Sequence, residues 1–384
     1  MNRKNIVALF LIVCIVFINI EIKVQAEVID GKIDWESATI LTIYDEKIFF
    51  SIYDKITDRT VYFQYNVESD KCNKIGEIDN QEISSGDIAY NNDAIFFWIS
   101  KKKERNIYNA ILYSLDLKRS ELKPITAIEV NQPLIYVEYL DGVISYIGKI
   151  YGKYGKGILY RENEKRQANI VKNYNNKNNK GEFIEQFTID QELIYVYVTN
   201  YDYGQKQSYI EVYNKELKKI KQIMLAINEK DSMILSMKIY EKYIYMKYWD
   251  NSGFLARIED KGITVLLEWD AYLALDICET LNESNKFFLY SRNTGKVWLV
   301  DSKREVIDEL DLRCSNLRHM LVDNKNENIL YELYQQNGSC KVYYQPIGEI
   351  DILSSYSLRK LSYVYIAKEW SDRDGKAVKK EYTK

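Results

Sequence analysis

The single histidine of this 384-residue chain, His319, decides first which chemistry is open to it. One imidazole cannot build a His-cluster metal centre, and no G-x-S-x-G elbow is present to expose a serine nucleophile. In Leu317-Arg318-His319-Met320-Leu321 the histidine reads as an ordinary strand residue, with a pH-sensitive contact as the lesser reading. Carboxylates are abundant, 56 in all, so an acid and base pair of the glycosidase kind stays open. Such a pair is defined by a spatial separation of roughly 5 to 9 Å, which linear spacing does not reveal. No catalytic, cofactor-binding or metal-ligating residue is therefore assigned, and no cofactor is expected.

Other candidate motifs resolve to structure rather than chemistry. Gly152-Lys153-Tyr154-Gly155-Lys156-Gly157 is glycine-rich but opens no helix that could receive a phosphate. Asp372, Asp374, Gly375 and Glu381 fall on the third, fifth, sixth and twelfth places of a calcium loop, yet Trp370 stands at the first, where an oxygen ligand is required. Lys101-Lys102-Lys103-Glu104-Arg105, the densest basic run, reads as a solvated hairpin tip. Cys72, Cys278, Cys314 and Cys340 show no metal spacing; Cys314 with Cys340 or Cys278 are the candidate bridge partners, with connectivity left open.

The elements that would position any site repeat. Apolar and aromatic runs begin at Ile48, Ile95, Val143, Leu193, Tyr243, Phe287 and Ile329, each preceded by a polar turn and followed by a second turn and run, at gaps of 47, 48, 50, 50, 44 and 42 residues. In the first copy, strands are predicted at Ala38 to Tyr44, Lys47 to Tyr53, Thr60 to Tyr65 and Lys74 to Ile78. Runs such as Ile244-Tyr245-Met246-Lys247-Tyr248 are nearly continuously apolar, as strands buried on both faces must be. A single small sheet leaves its faces wet, so the copies must stack on one another. The expectation is an all-β fold, a β-propeller of seven four-stranded blades, with six or eight as alternatives. Leu361 to Ile366 or the N-terminal Val28 to Ile33 would complete an end blade, and Lys172 to Gly181 reads as a mobile loop between the third and fourth copies.

Residues 1–26 stand apart from this pattern. Arg3 and Lys4 precede an apolar stretch from Ile6 to Ile20, and Val24-Gln25-Ala26 suits a cleavage site, so an export signal is expected with a mature start near Glu27. An uncleaved anchor is the rival reading; fifteen apolar residues fall short of the roughly 20 that span a bilayer. The expected division is a signal at 1–26, the propeller at 27–366 and a polar tail at 367–384. Removing the signal takes the net charge from −3 to about −5, which argues against nucleic acid as a partner. Tyrosine is the compositional outlier with 34 copies, a residue that suits both strands and stacking surfaces.

Turn-then-run segments such as Asp45-Glu46-Lys47-Ile48-Phe49-Phe50 and Asn92-Asp93-Ala94-Ile95-Phe96-Phe97 resemble exported bacterial β-propellers of the TolB-like and DUF5050-like kind over most of Ile40 to Leu353. The resemblance implies a recognition or scaffolding role and brings no site residues with it. Ser291-Arg292-Asn293-Thr294-Gly295-Lys296-Val297-Trp298 is similar to the S-x-D-x-G-x-T-W Asp box of sialidases and related propellers, with Asn293 in place of Asp and Val297 in place of Thr. The resemblance implies a hairpin-stabilising turn formed by Ser291, Asn293, Gly295 and Trp298. The expected function is an exported, non-catalytic propeller that binds a protein or cell-envelope glycan through rim loops and funnel aromatics, secreted or held at the cell surface. The alternatives are a glycan-active enzyme of sialidase or lyase type and a membrane-anchored sensor or assembly subunit.

Overall fold

Alternating apolar runs closed by tight turns produce strands throughout. The computed structural model describes residues 27–358 apart from short interruptions, the longest at 226–233; residues 1–26 and 359–384 lie outside the described part. The expected signal segment, the 361–366 strand and the calcium-like run 370–381 therefore fall outside it, as do Cys314 and residues 151–155 of the glycine-rich stretch. Among the described residues no helix is long and apolar enough to cross a membrane.

The strands form antiparallel meanders, each copy of the repeat running from an inner to an outer strand. The first sheet comprises Ala38–Tyr44, Lys47–Asp54, Arg59–Asn66 and Lys71–Asp79. In the second, Ser84–Ser85 and Ala89–Tyr90 both pair Ala94–Glu104, followed by Ile107–Asp116 and Glu121–Val130. Lys101 to Glu104 thus lengthen a strand, with Lys103 paired to Glu129. The fourth sheet holds Ile234–Tyr240, Tyr243–Tyr248, Gly253–Ile258 and Ile263–Trp269; the fifth Leu275–Cys278, Lys286–Ser291, Val297–Asp301 and Val306–Asp311. The sixth holds Leu317–Asp323, Asn328–Tyr334 and Cys340–Pro346.

The expectation of seven separate blades is corrected here: among the described residues the strands form six sheets, and the third has eight strands, from Tyr136–Leu140 to Lys219–Met224. The reason is local. Gln167–Asn175 continues into pairing with Lys180–Asp190 through Tyr174↔Gly181 and Asn175↔Lys180, which fuses the third and fourth repeats into one sheet. Lys172 to Asn175 and Lys180 to Gly181, expected within a loop, are the strand ends that make this join.

Burial between sheets closes the ring. Leu41, Phe49 and Tyr62 pack on Ile95, Phe97 and Leu115; Val137 packs with Phe96 and Trp98. Ile210 and Val212 meet Met237 and Met246, Tyr245 and Trp269 meet Leu289 and Trp298, and Phe288 and Tyr290 meet Met320 and Tyr331. Leu330, Val342 and Tyr344 of the last sheet then pack on Trp35, Ile43 and Phe50 of the first. This all-β ring of sheets stacked face to face is a β-propeller. At roughly 25 cal/mol per Å² of apolar area, the interfaces supply the driving force that a lone sheet lacks.

Two further stitches complete the circle. Glu27–Ile29 adds as the outer strand of the sixth sheet, pairing Val28 with Tyr343, so the N-terminal segment closes the end blade. Asp351–Ser357 turns back and joins Val306–Asp311 as a fifth strand of the preceding sheet. The buried Asp323 carboxylate of the last sheet accepts from the amides of Asp45 (3.3 Å) and Glu46 (3.0 Å), whose positive φ of 53° and 61° make a tight hairpin turn in the first. Gly253 is required by space: a Cβ there would lie 2.2 Å from the Met246 carbonyl oxygen and 2.6 Å from the Trp269 ring.

Candidate functional site

The inner strands surround a central channel. Lys238 of Ile234–Tyr240 bonds Glu138 of Tyr136–Leu140 at 3.0 Å, reaching past the intervening inner strand Lys180–Asp190. At the end of the channel where the inner strands begin lie the link at 270–274 and the turns that follow Tyr243–Tyr248 and Lys286–Ser291. At that mouth, over the fourth to sixth sheets, the chain buries a charged cluster.

Each member is placed by a local feature. Lys247 interrupts the apolar strand Tyr243–Tyr248, is 5% exposed and donates to Asp276 Oδ1 at 2.5 Å. Asp276, on the neighbouring inner strand, also holds Arg292 Nε at 2.6 Å through Oδ2. Arg292 stands in the turn after Lys286–Ser291. Ser291 Oγ donates to the Leu273 carbonyl at 2.5 Å and accepts from the Thr294 amide at 3.2 Å. Asn293 Nδ2 donates to the Tyr272 carbonyl at 2.6 Å, and Gly295 takes a φ of 70° that side chains disfavour. Trp298 is buried in the interface of the fourth and fifth sheets. The four residues of the box-like motif therefore lock the turn, and the residue they aim at the mouth is Arg292.

Arg318 and His319 come from the inner strand of the sixth sheet. Its register runs Leu317↔Leu333 and then His319↔Glu332, leaving Arg318 as the extra residue of a β-bulge. A bulge re-aims side chains; here it leaves Arg318 and His319 both part-exposed between buried Leu317 and Met320. Arg318 Nε stands 3.7 Å from Glu332 Oε2, its guanidinium carbon lies 5.4 Å from the centre of the Tyr334 ring, and its Nη1 is buried without a hydrogen-bond partner. Burial pushes the Glu332 carboxyl up to about 7 against the pull of Arg318 and Arg292. Burial, helped by Arg292, pushes His319 down to about 4, so its ring is neutral. Burial and the nearby Asp276 raise the Tyr290 phenol. Three cations thus share Asp276 and a Glu332 that takes up a proton near neutrality.

Around this cluster stand exposed rings: Trp249 (63% exposed) in the turn two residues beyond Lys247, Tyr272 (69%) against the Arg292 turn, and Tyr334 (45%) beneath Arg318. Sequence reasoning passed over all of these except His319. A signal for part of the cluster was present, since Lys247 and Glu332 each break an apolar strand run, and a charge in such a place must be paired. Among the described residues Cys72, Cys278 and Cys340 form no bridge with one another, and their candidate partner Cys314 lies outside the described part. Among the described residues no three His, Cys, Asp or Glu side chains converge as a metal requires.

At the opposite rim a cavity of about 510 Å³ is lined by Asp190, Tyr195, Glu241, Lys242, Ser302 and Lys303. Its polar groups bond to the protein: Ser302 Oγ to Glu241 at 3.2 Å, and Lys242 to Glu305 at 2.7 Å. Burial raises the Asp190 carboxyl to about 6.

No protein-family model and no curated protein matches the chain. Solved structures share its outline. The β-propeller domain of the Trilobed protease from Pyrococcus furiosus, described as having an open velcro topology, is similar at 14% identity and a TM-score of 0.41, over 83% of this chain and 84% of that one. A chain of the Mitotic Checkpoint Complex is similar at 6% identity and 0.49, over 84% and 94%. An uncharacterised protein from Listeria monocytogenes EGD-e is similar at 12% identity and 0.43, over 79% and 92%.

Proposed function

We propose that this protein is an extracytoplasmic, non-catalytic binding scaffold whose ligand, a cell-envelope glycan or a protein, seats on the channel mouth over the fourth to sixth sheets. The observation that supports this reading is the set of exposed rings, Trp249, Tyr272 and Tyr334, around the cations Arg292 and Arg318. Broad rings with few rotors give contact area at low entropic cost, and strands packed on both faces hold the turns that carry them. Export rests on the sequence of residues 1–26; cleavage before Glu27 would leave the Glu27–Ile29 strand whole. Recovery from the medium of a chain beginning near Glu27 is the expected result, and recovery of the uncleaved chain in membranes favours the anchored sensor.

The deciding experiment compares the full chain with a Trp249→Ala/Tyr272→Ala variant for binding to purified envelope polysaccharides and envelope proteins. Both rings are exposed, so the fold should survive. Binding that persists undiminished in the double variant overturns the reading. A glycan-active enzyme is the second reading; Glu332, which stands 3.7 Å from Arg318 with its carboxyl raised by burial, is the group that would serve as its general acid. The scaffold reading expects no new reducing ends when polysaccharide is incubated with the native chain, and their steady release would replace it.

A further inference from the structure

The charges at the mouth do not close among themselves. Asp276 stands between Lys247 and Arg292, at 2.5 and 2.6 Å, with its Oδ2 buried and making no hydrogen bond. Glu332 is too far from Arg318, at 3.7 Å, for a strong hydrogen bond. Arg318 Nη1, buried and without an acceptor, costs free energy until one arrives. His319 cannot supply negative charge in either of its protonation states. Lys247, Arg292 and Arg318 thus face only Asp276 and Glu332, which leaves an excess of positive charge.

Exposed rings stand beside the cluster: Tyr334 lies 5.4 Å from the Arg318 guanidinium carbon, Asn293 ties the Arg292 turn to the Tyr272 backbone, and Trp249 follows Lys247 in the next turn. A guanidinium fork matches a carboxylate, and an exposed ring matches the flat C–H face of a pyranose. A ligand that offers both in every unit is an acidic oligosaccharide. An acidic peptide presents carboxylates on flexible stems and has no flat face for the rings.

Resting on the scaffold reading above, we infer that the mouth binds a carboxylated oligosaccharide, with acid groups on Arg292 and Arg318 and sugar faces on Trp249, Tyr272 and Tyr334. The test is calorimetric titration of the full chain with tetragalacturonic acid, with its carboxyl-reduced counterpart and with hexaglutamate, at low and high salt. The acid oligomer should bind, weaken with salt, and bind at least about tenfold better than the reduced one. Arg318→Gln and Arg292→Gln should each weaken it by about tenfold or more. Should either variant fail to fold, the contrast between acid and reduced oligomers on the native chain still decides.

Equal binding of the two oligomers, indifference of folded arginine variants, or tighter binding of hexaglutamate overturns the inference, as does absence of binding by the acid oligomer. The two readings fail separately. A reduced oligomer that binds equally well and is lost in Trp249→Ala removes the acid-sugar inference and leaves the scaffold standing. An acid oligomer that binds through the arginines yet is unaffected by removing all three rings overturns both the seating proposed here and the aromatic scaffold.

Discussion

Two buried charge clusters in this ring use the same residue types to opposite ends. In the eight-stranded sheet, Glu211 accepts from Lys219 at 2.6 Å and Tyr213 at 2.5 Å and also pairs Lys172, which in turn holds Glu182 at 2.7 Å; Tyr209 donates to Glu182 as well. Two cations meet two carboxylates, and two phenols add donors to the same oxygens. Burial opposes ionisation of both acids, yet these hydrogen bonds outweigh it and hold Glu211 and Glu182 below their ordinary range. At the mouth, three cations meet two carboxylates, one of them driven up to about 7, and an arginine nitrogen is left over. The first cluster is closed within itself; the second leaves part of its bonding unspent, as a ligand site would. The first straddles the join between Gln167–Asn175 and Lys180–Asp190, where the two repeats fuse.

The sharpest way to break this contrast is to remove one charged partner from each cluster. Glu211→Ala removes the shared anion of Lys172 and Lys219 and the acceptor of Tyr213 and should cost about 2 kcal/mol, read as a lower urea midpoint with unchanged slope. Arg318→Ala leaves only a Glu332 that can take up a proton, so its cost should stay below about 1 kcal/mol. Equal losses would show that both clusters are structural.

Titration separates them next. Glu332 has a folded value near 7 against 4.5, so the native state holds the extra proton and stability falls as pH rises from about 4.5 to 7. His319, lowered from 6.5 to about 4, acts in the opposite sense: its contribution is complete above 6.5 and is lost as pH falls towards 4. Between about 4.5 and 6.5 the two slopes cancel. Glu332→Gln removes one of them, and relative to the native chain the variant should gain on the order of 2 kcal/mol by pH 8. Glu182 and Glu211, held low, behave the other way, adding stability above 4.5 that acid removes. Chemical denaturation of the native and Glu332→Gln chains at pH 5 and pH 8 measures the difference.

Cadence was legible in the sequence and closure was not. Apolar runs from Ile48 to Ile329 place the second strand of every repeat, because strand period and turn chemistry are local. The fusion of two repeats depends on two residue pairs across a short connection, Tyr174↔Gly181 and Asn175↔Lys180, which no periodicity announces. The mouth was hidden for a related reason. Leu317-Arg318-His319-Met320 violates strict alternation, and only the bulge at Arg318 explains why two adjacent polar residues share the open side. Glu211, Lys247 and Glu332 were readable as charges in apolar strands needing partners, though the partners come from distant parts of the chain.

The smallest effect tests how the mouth is held in shape. Asn293 sits where the similar motif carries Asp, and its Nδ2 reaches the Tyr272 carbonyl at 2.6 Å, a bond that an aspartate could not donate. The amide thus ties the turn that carries Arg292 to the segment that carries an exposed ring. Asn293→Ala removes one exposed hydrogen bond, so stability should fall by only about 0.5 to 1 kcal/mol. Asn293→Asp should lose the same bond and place a negative charge next to Arg292, reducing the cation excess at the mouth. Acid-oligomer affinity should then fall further in Asn293→Asp than in Asn293→Ala while their melting temperatures stay together. The reverse order would mean that the turn matters through its shape alone and that charge at the mouth is incidental.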